Sequence, residues 1–269
     1  MITARDLLVR GLLAGLLAGI ATFFVAYVVG EPSVGAAIAV EESGEHAADG
    51  HTHGSADEPD WTLGQQDTAH EHGTEVPRSL QSTAGLATAT LVAGVTLGGL
   101  VGVVSALALG RFGRLGVRST VLLVTGLGFV ATYVVPFLAY PPNPPAVGQA
   151  GTIGMRTALY FVLVAVSLVA GVTAVLVARR LSARWGSWYA TLACGAAYAV
   201  VLGLAITLMP TYDEVPADFP ATVLYAFRRA SLLTQLTLWG VVGLTTAELA
   251  HRLADRGRQD ARTTALVGA

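Results

Sequence analysis

Five of the six histidines fall between residues 46 and 72: His46, His51, His53, His70 and His72. His51-Thr-His53 and His70-Glu-His72 set imidazoles two residues apart, with Glu45, Asp49, Glu71 and Glu75 close by in sequence. Imidazole and carboxylate together suit borderline divalent ions such as Co²⁺, Ni²⁺ and Zn²⁺. No cysteine accompanies them, so the spacing describes weak metal capture rather than a closed site. A solvated polar insert with incidental histidines is the competing reading. Residues 31–77 hold eleven of the eighteen carboxylates and no Arg or Lys, and such a segment raises the local cation concentration whatever its geometry. Glu31 and Glu41, on the chain leaving the first apolar run, and Glu214, late in the sequence, complete the candidate metal ligands.

A second set of polar residues lies in or beside apolar stretches. Arg228, Ser231 and Gln235 fall at i, i+3 and i+7 with Trp239 one turn on, which puts them on one stripe of a helix. Arg156 and Tyr160 are four apart, with Ser167 two turns deeper. Such stripes usually face a bundle interior or a wet cavity rather than lipid. Asp213, Glu214 and Asp218 form the carboxylate cluster nearest to them, and Asn143 sits between two Pro-Pro steps. We read Asn143, Arg156, Tyr160, Asp213, Asp218, Arg228 and Gln235 as lining a pathway or its mouth. The competing reading has Arg156, Arg228 and Arg229 snorkelling, or tying Asp213, Glu214 and Asp218 into interfacial ion pairs. Asp218 before Phe219-Pro220 also reads as a helix N-cap, and Asn143 as a turn residue.

Other chemistries are excluded or disfavoured. All sixteen basic residues are Arg, which removes a P-loop lysine, a Schiff-base lysine and a lysine general base together. No His-Glu-x-x-His occurs, and no enzyme is expected. Cys194 is the single cysteine, so no intrachain disulfide forms, and the sequence calls for no permanently bound cofactor and no nucleic-acid partner.

These residues must be positioned by elements that composition identifies. Of 269 residues, 53% are hydrophobic and only 13% charged, with mean hydropathy +0.60, against about 25% charged in a soluble domain. Six nearly uncharged runs, Leu12 to Val29, Leu86 to Leu109, Ser119 to Leu138, Thr157 to Ala178, Trp188 to Met209 and Ser231 to Ala247, are long enough to cross a bilayer. The expected fold is an all-α polytopic membrane protein: a bundle of about six transmembrane helices with one long acidic, His-rich external loop. Arginine divides twelve to four between the two sets of alternating loops, which places both termini in the cytoplasm. The first run is read as an uncleaved span rather than a signal peptide.

The whole chain, 1–269, reads as one membrane domain. Within it, 31–82 is the external loop, largely disordered because its composition cannot bury enough surface, and 251–269 is a cytoplasmic Arg-rich tail. The other two outer loops, Tyr140 to Gly148 and Met209 to Pro220, are stiffened by proline and poorly helical. Glycines at 11, 15 and 19 and at 94, 98 and 102 repeat every four residues in the first two runs. Small residues at this spacing let helix backbones approach closely, within the chain or, as the alternative, in a homo-oligomer or against a partner helix.

The outer loops resemble those of the CbtA-type probable cobalt transporter subunits. The resemblance lies in Gly30-Glu31-Pro32 with Ala37 to Glu42, Pro136 to Gly148, and Arg156-Thr157 with Tyr160. It continues in Met209-Pro210, Glu214-Val215-Pro216, Asp218-Phe219-Pro220, Phe227-Arg228 and Gln235 with Trp239, and so covers nearly the whole chain. It implies a multi-pass permease of the cell's inner (plasma) membrane that supplies cobalt for cobalamin synthesis, often beside a small single-span subunit bearing histidines. Co²⁺ is then the transported ion, with Ni²⁺ or Zn²⁺ as alternatives. No span carries an acidic residue near its middle, so transport is expected to need a partner. A membrane-anchored protein that binds or senses metal without transporting it is the alternative function.

Overall fold

The computed structural model describes residues 3–49, 77–111, 115–145 and 147–267, and every element among them is helical or irregular. Among the described residues five helices are long and apolar enough to cross a membrane: α1 (Ala4–Ser43), α2 (Arg78–Ala108), α3 (Val117–Ala139), α4 (Ile153–Leu208) and α5 (Ala221–Gln259). Many of their large apolar side chains are exposed, Val169, Val200 and Leu208 among them. That surface needs lipid rather than water around it, and the chain is a multi-pass membrane protein.

α1 starts at a reciprocal cap. Thr3 Oγ1 accepts from the Asp6 amide at 3.2 Å while the Asp6 carboxylate accepts from the Thr3 amide at 3.0 Å. Its glycines then meet those of α2. A Cβ at Gly11 would lie 2.1 Å from the Gly98 carbonyl oxygen, and one at Gly15 equally close to that of Gly94. The four-residue repeats therefore serve packing inside the chain. Leu7 and Ala18 of α1, Val101 of α2, Val121 of α3 and Val242 of α5 close the main core around this seam.

Two expectations change. First, the fourth and fifth expected spans join with no loop between them: Ile153–Leu208, α4, is helical on both sides of one non-helical residue and forms two arms. Its course breaks at Gly186, where φ is +78° and ψ 156°. Gly alone adopts such a conformation readily, so one residue turns the chain where an Arg-bearing loop was expected. Ser167 and Tyr198, 31 residues apart, share a hydrogen bond of 2.8 Å; on a straight helix they would be about 46 Å apart. The two arms therefore lie side by side as a hairpin.

Second, the expected loop at 31–82 is helical at both ends. Glu31–Asp49 continues α1 past a π-helical turn at Ala26–Gly30, and Arg78–Leu80 and Gln81–Gly85 lead into α2. The apolar residues among Ala36 to Val40 explain the first extension, since Ala37 is fully buried. His51, His53, His70 and His72 lie outside the described residues. His46 and Glu41 lie on the helical extension, Glu41 exposed. The Arg-rich tail expected at 251–269 is helical as far as it is described, in a helix that runs from Ala221 to Val267 without a break. His251 and Asp255, four apart and 3.0 Å from each other, Arg252 with Glu248, and Arg258 with Asp255 lace its polar turns.

Candidate functional site

The two proline-rich loops meet at the end of the molecule where α3, α4 and α5 converge. Loop 140–149 leaves α3 and loop 209–220 leaves α4, and three independent contacts join them to each other and to the helices. Tyr140 donates its hydroxyl to the Pro210 carbonyl at 2.9 Å, and its ring lies 6.5 Å from that of Tyr212. Arg228 of α5 donates to the Asn143 side-chain oxygen at 3.2 Å and to the Pro142 carbonyl at 3.4 Å. Arg156 of α4 pairs with Glu214.

Glu214 is the most engaged of these groups. Its side chain is only 5% exposed, and it accepts from the Thr152 hydroxyl and the Arg156 guanidinium through different oxygens and from the Gln149 amide at 3.2 Å. Thr152 and Arg156 reach it together because they stand four apart at the start of α4. Gly148 makes room: its φ is +141°, a conformation that L side chains rarely adopt, and a Cβ there would lie 3.4 Å from both Arg156 Nη1 and Glu214 Oε2. The Thr152 hydroxyl bond, more than the Gln149 amide or Arg156, holds the Glu214 carboxyl below the usual carboxylate range against the opposing effect of burial.

Beside this clasp lies an open cavity of about 500 Å³, walled by Tyr133 and Phe137 of α3, Pro142, Arg156 and Tyr160 of α4, and Gln235 of α5. Its polar atoms are held from behind. Tyr133 shares a 3.0 Å bond with Ser231, and Tyr160 donates to the Thr132 carbonyl at 2.8 Å. The latter bond has a local cause. Pro136 has no amide hydrogen for the carbonyl four residues back, which is that of Thr132. The helix passes the proline through a π-helical turn at Val130–Val134, and Tyr160 supplies the donor from α4.

Both polar stripes thus face the bundle. Arg228, Ser231, Gln235 and Trp239 all point to α3 or its loop, Trp239 lying against Gly128 and Phe129. The pairing differs from one expected arrangement. Arg228 binds neutral oxygens, not a carboxylate, and Arg229, Asp213 and Asp218 are exposed. Asp218 does not cap α5 either. The helix starts at Ala221 after Pro220, whose carbonyl accepts from Val223 and Leu224, so Asp218 is two positions too early. Glu31 lies apart from this end-loop cluster in the contacts it makes, paired with Arg78 at 2.5 Å.

Thr152, Gln149 and Tyr133 were not singled out in the sequence. A signal existed for Thr152, on the same helix face as Arg156, and for Tyr133, one turn before Pro136. The Gln149 contribution is a backbone amide and has no side-chain signature. Among the described residues no three His, Cys, Asp or Glu side chains gather as a metal site.

The family described as "Probable cobalt transporter subunit (CbtA)" matches residues 4–251, and the chain belongs to it. No curated protein and no solved structure matches the chain.

Proposed function

We propose that this chain is the permease subunit for uptake of a divalent transition metal ion, Co²⁺ first among Ni²⁺ and Zn²⁺, across the plasma membrane toward cobalamin synthesis. Family membership from residue 4 to 251 is the observation that carries the reading. In it, the two arms of α4 cross separately, giving six crossings with both termini cytoplasmic, in accord with the arginine distribution. The acidic segment with His46, His51, His53, His70 and His72 is external and collects the ion, helped by Glu31 and Glu41. The clasped loops form the mouth, with Asn143, Arg156, Tyr160, Asp213, Glu214, Asp218, Arg228 and Gln235 around it. A small single-span subunit bearing histidines is the expected partner.

The mouth has a chemistry that suits this role. A bare guanidinium would repel a dication, but Arg156 is compensated by Glu214 at the cavity wall, so the cavity need not exclude cations. The test is uptake of radioactive cobalt into vesicles containing the chain, with and without the single-span subunit. Accumulation above protein-free vesicles is expected, and its absence in both preparations defeats the permease reading. Retained cobalt binding without accumulation is the result that favours a binding or sensing protein. Reporter fusions after residues 60 and 258 check orientation; external activity at 60 and cytoplasmic activity at 258 are expected.

A further inference from the structure

At the opposite end of the molecule from the clasp, α3 and the α4 hairpin part. Their packing is close where Leu127 lies against Gly171, since a Cβ on that glycine would be 2.8 Å from the leucine side chain. One turn further toward the Arg-rich end the helices enclose a cleft of about 880 Å³. Its walls change character along its length. Leu123, Val175 and Leu176 line the part nearer the membrane centre, and Arg179, Arg180 and Ser187, with Leu115 opposite, the part at the hairpin turn.

Three observations bear on what fills it. The first is charge: residues 153–208 contain four arginines and no acidic residue. Several arginines elsewhere at this end have partners. Arg118 and Arg252 share Glu248, Arg258 meets Asp255, and Arg111 donates to the Leu107 carbonyl at the end of α2. Arg180 has no carboxylate partner among the described residues. The second is depth: Trp185, Trp188 and Tyr189 are exposed around the turn, and exposed Trp and Tyr mark the headgroup level of a bilayer. The third is polarity along the cleft, apolar below and cationic with a hydroxyl above, the same order as an acyl chain followed by a phosphate. The second arm of α4 also begins at Gly186, so the positive end of its peptide dipoles lies beside Ser187.

We propose that this cleft binds an anionic phospholipid, its phosphate held by Arg179, Arg180 and the Ser187 hydroxyl and an acyl chain laid along Leu123, Val175 and Leu176. The site lies away from the clasp and does not depend on which ion the chain carries. Basic pockets between helices at the cytoplasmic side recognise such headgroups. Two arginines, each worth about five- to sixfold toward an anionic headgroup, together give a preference of roughly thirtyfold over a zwitterionic lipid.

The experiment is native mass spectrometry and thermal stability of the full chain, delipidated in detergent and offered phosphatidylglycerol, phosphatidylcholine or inorganic phosphate. Selective retention of phosphatidylglycerol with a raised melting temperature is expected, and no comparable effect of inorganic phosphate. Arg179→Gln with Arg180→Gln abolishes the preference, whereas Arg258→Gln, outside the cleft, leaves it intact. Equal retention of the two lipids, equal stabilisation by inorganic phosphate, or an unchanged preference in the double variant overturns the proposal. If the double variant does not accumulate, the preference of the unaltered chain between the two lipids decides alone.

Discussion

Tyr160→Phe isolates one interaction between α3 and the α4 hairpin. It keeps the ring and removes only the hydroxyl that donates to Thr132 at 2.8 Å. A hydrogen bond between membrane helices averages about 0.6 kcal/mol and reaches about 1.7, while a carbonyl left without its donor in a half-buried setting costs about 1–3 kcal/mol. Because Pro136 cannot return an amide hydrogen to this carbonyl, the higher range applies, and we expect a loss of about 1–2 kcal/mol. Pro136→Ala supplies the missing donor. In that background the turn at Val130–Val134 can relax to α-helical pairing, and removal of the tyrosine hydroxyl should cost under about 0.5 kcal/mol, a coupling of the size neighbouring sites show. Equilibrium unfolding of all four proteins in mixed detergent micelles, followed by helical circular dichroism, measures the cycle. Equal costs of Tyr160→Phe with and without Pro136 would refute the account of why this tyrosine is bonded to this carbonyl.

Gly94→Val places a Cβ 2.4 Å from the Gly15 carbonyl oxygen and 2.7 Å from the Gly19 amide; it should cost upwards of about 1–3 kcal/mol by overpacking and lower the yield of folded protein, whereas Gly126→Val, with open space around it, should be tolerated in the same expression assay. Glu214→Gln should remove an acid-sensitive part of the stability. The folded carboxyl titrates below its unfolded value, so its contribution is full above the ordinary carboxylate range and is lost as pH falls through the lower, folded value. Melting temperatures of the unaltered chain and the glutamine variant, compared from neutral pH into acid, should therefore differ at neutral pH and converge below the usual carboxylate range. A constant gap would mean that the charge on Glu214 is not what joins the loops.

Much of this architecture was legible because the bilayer and backbone geometry leave few solutions. Uncharged runs of the right length gave the helices, and glycines at fourfold spacing gave the seam between α1 and α2. The proline words located the loops that meet. What the sequence concealed follows from local permissiveness. The break in α4 needs only Gly186, one of 31 glycines, with no proline to mark it. The helical continuation at Glu31–Asp49 runs through a Glu-Pro-Ser step that reads as a stop, yet proline is tolerated early in a helical turn. Partner choice was concealed for a different reason. Arg156 and Arg228 both stand near the carboxylate cluster in the sequence order of the loops. Which one meets Glu214 depends on Thr152 and Gln149 closing the same pocket, and no spacing rule encodes that.

The division between these two arginines has a consequence for the mouth. Glu214 spends both oxygens on Thr152, Gln149 and Arg156, so it can ligate a cation only by giving up contacts that hold α4 to the loop after it. Arg228 spends its donors on the oxygens of Asn143 and Pro142, and thereby fixes the loop before α4 to α5. The hairpin is therefore gripped at its loop-bearing end from both neighbouring loops, with Tyr160 as a third tie to α3, while its Arg-rich end stands off from α3 across the cleft. On the permease reading proposed above, the exposed Asp213 and Asp218, unlike Glu214, are the carboxylates of this region open to an arriving cation.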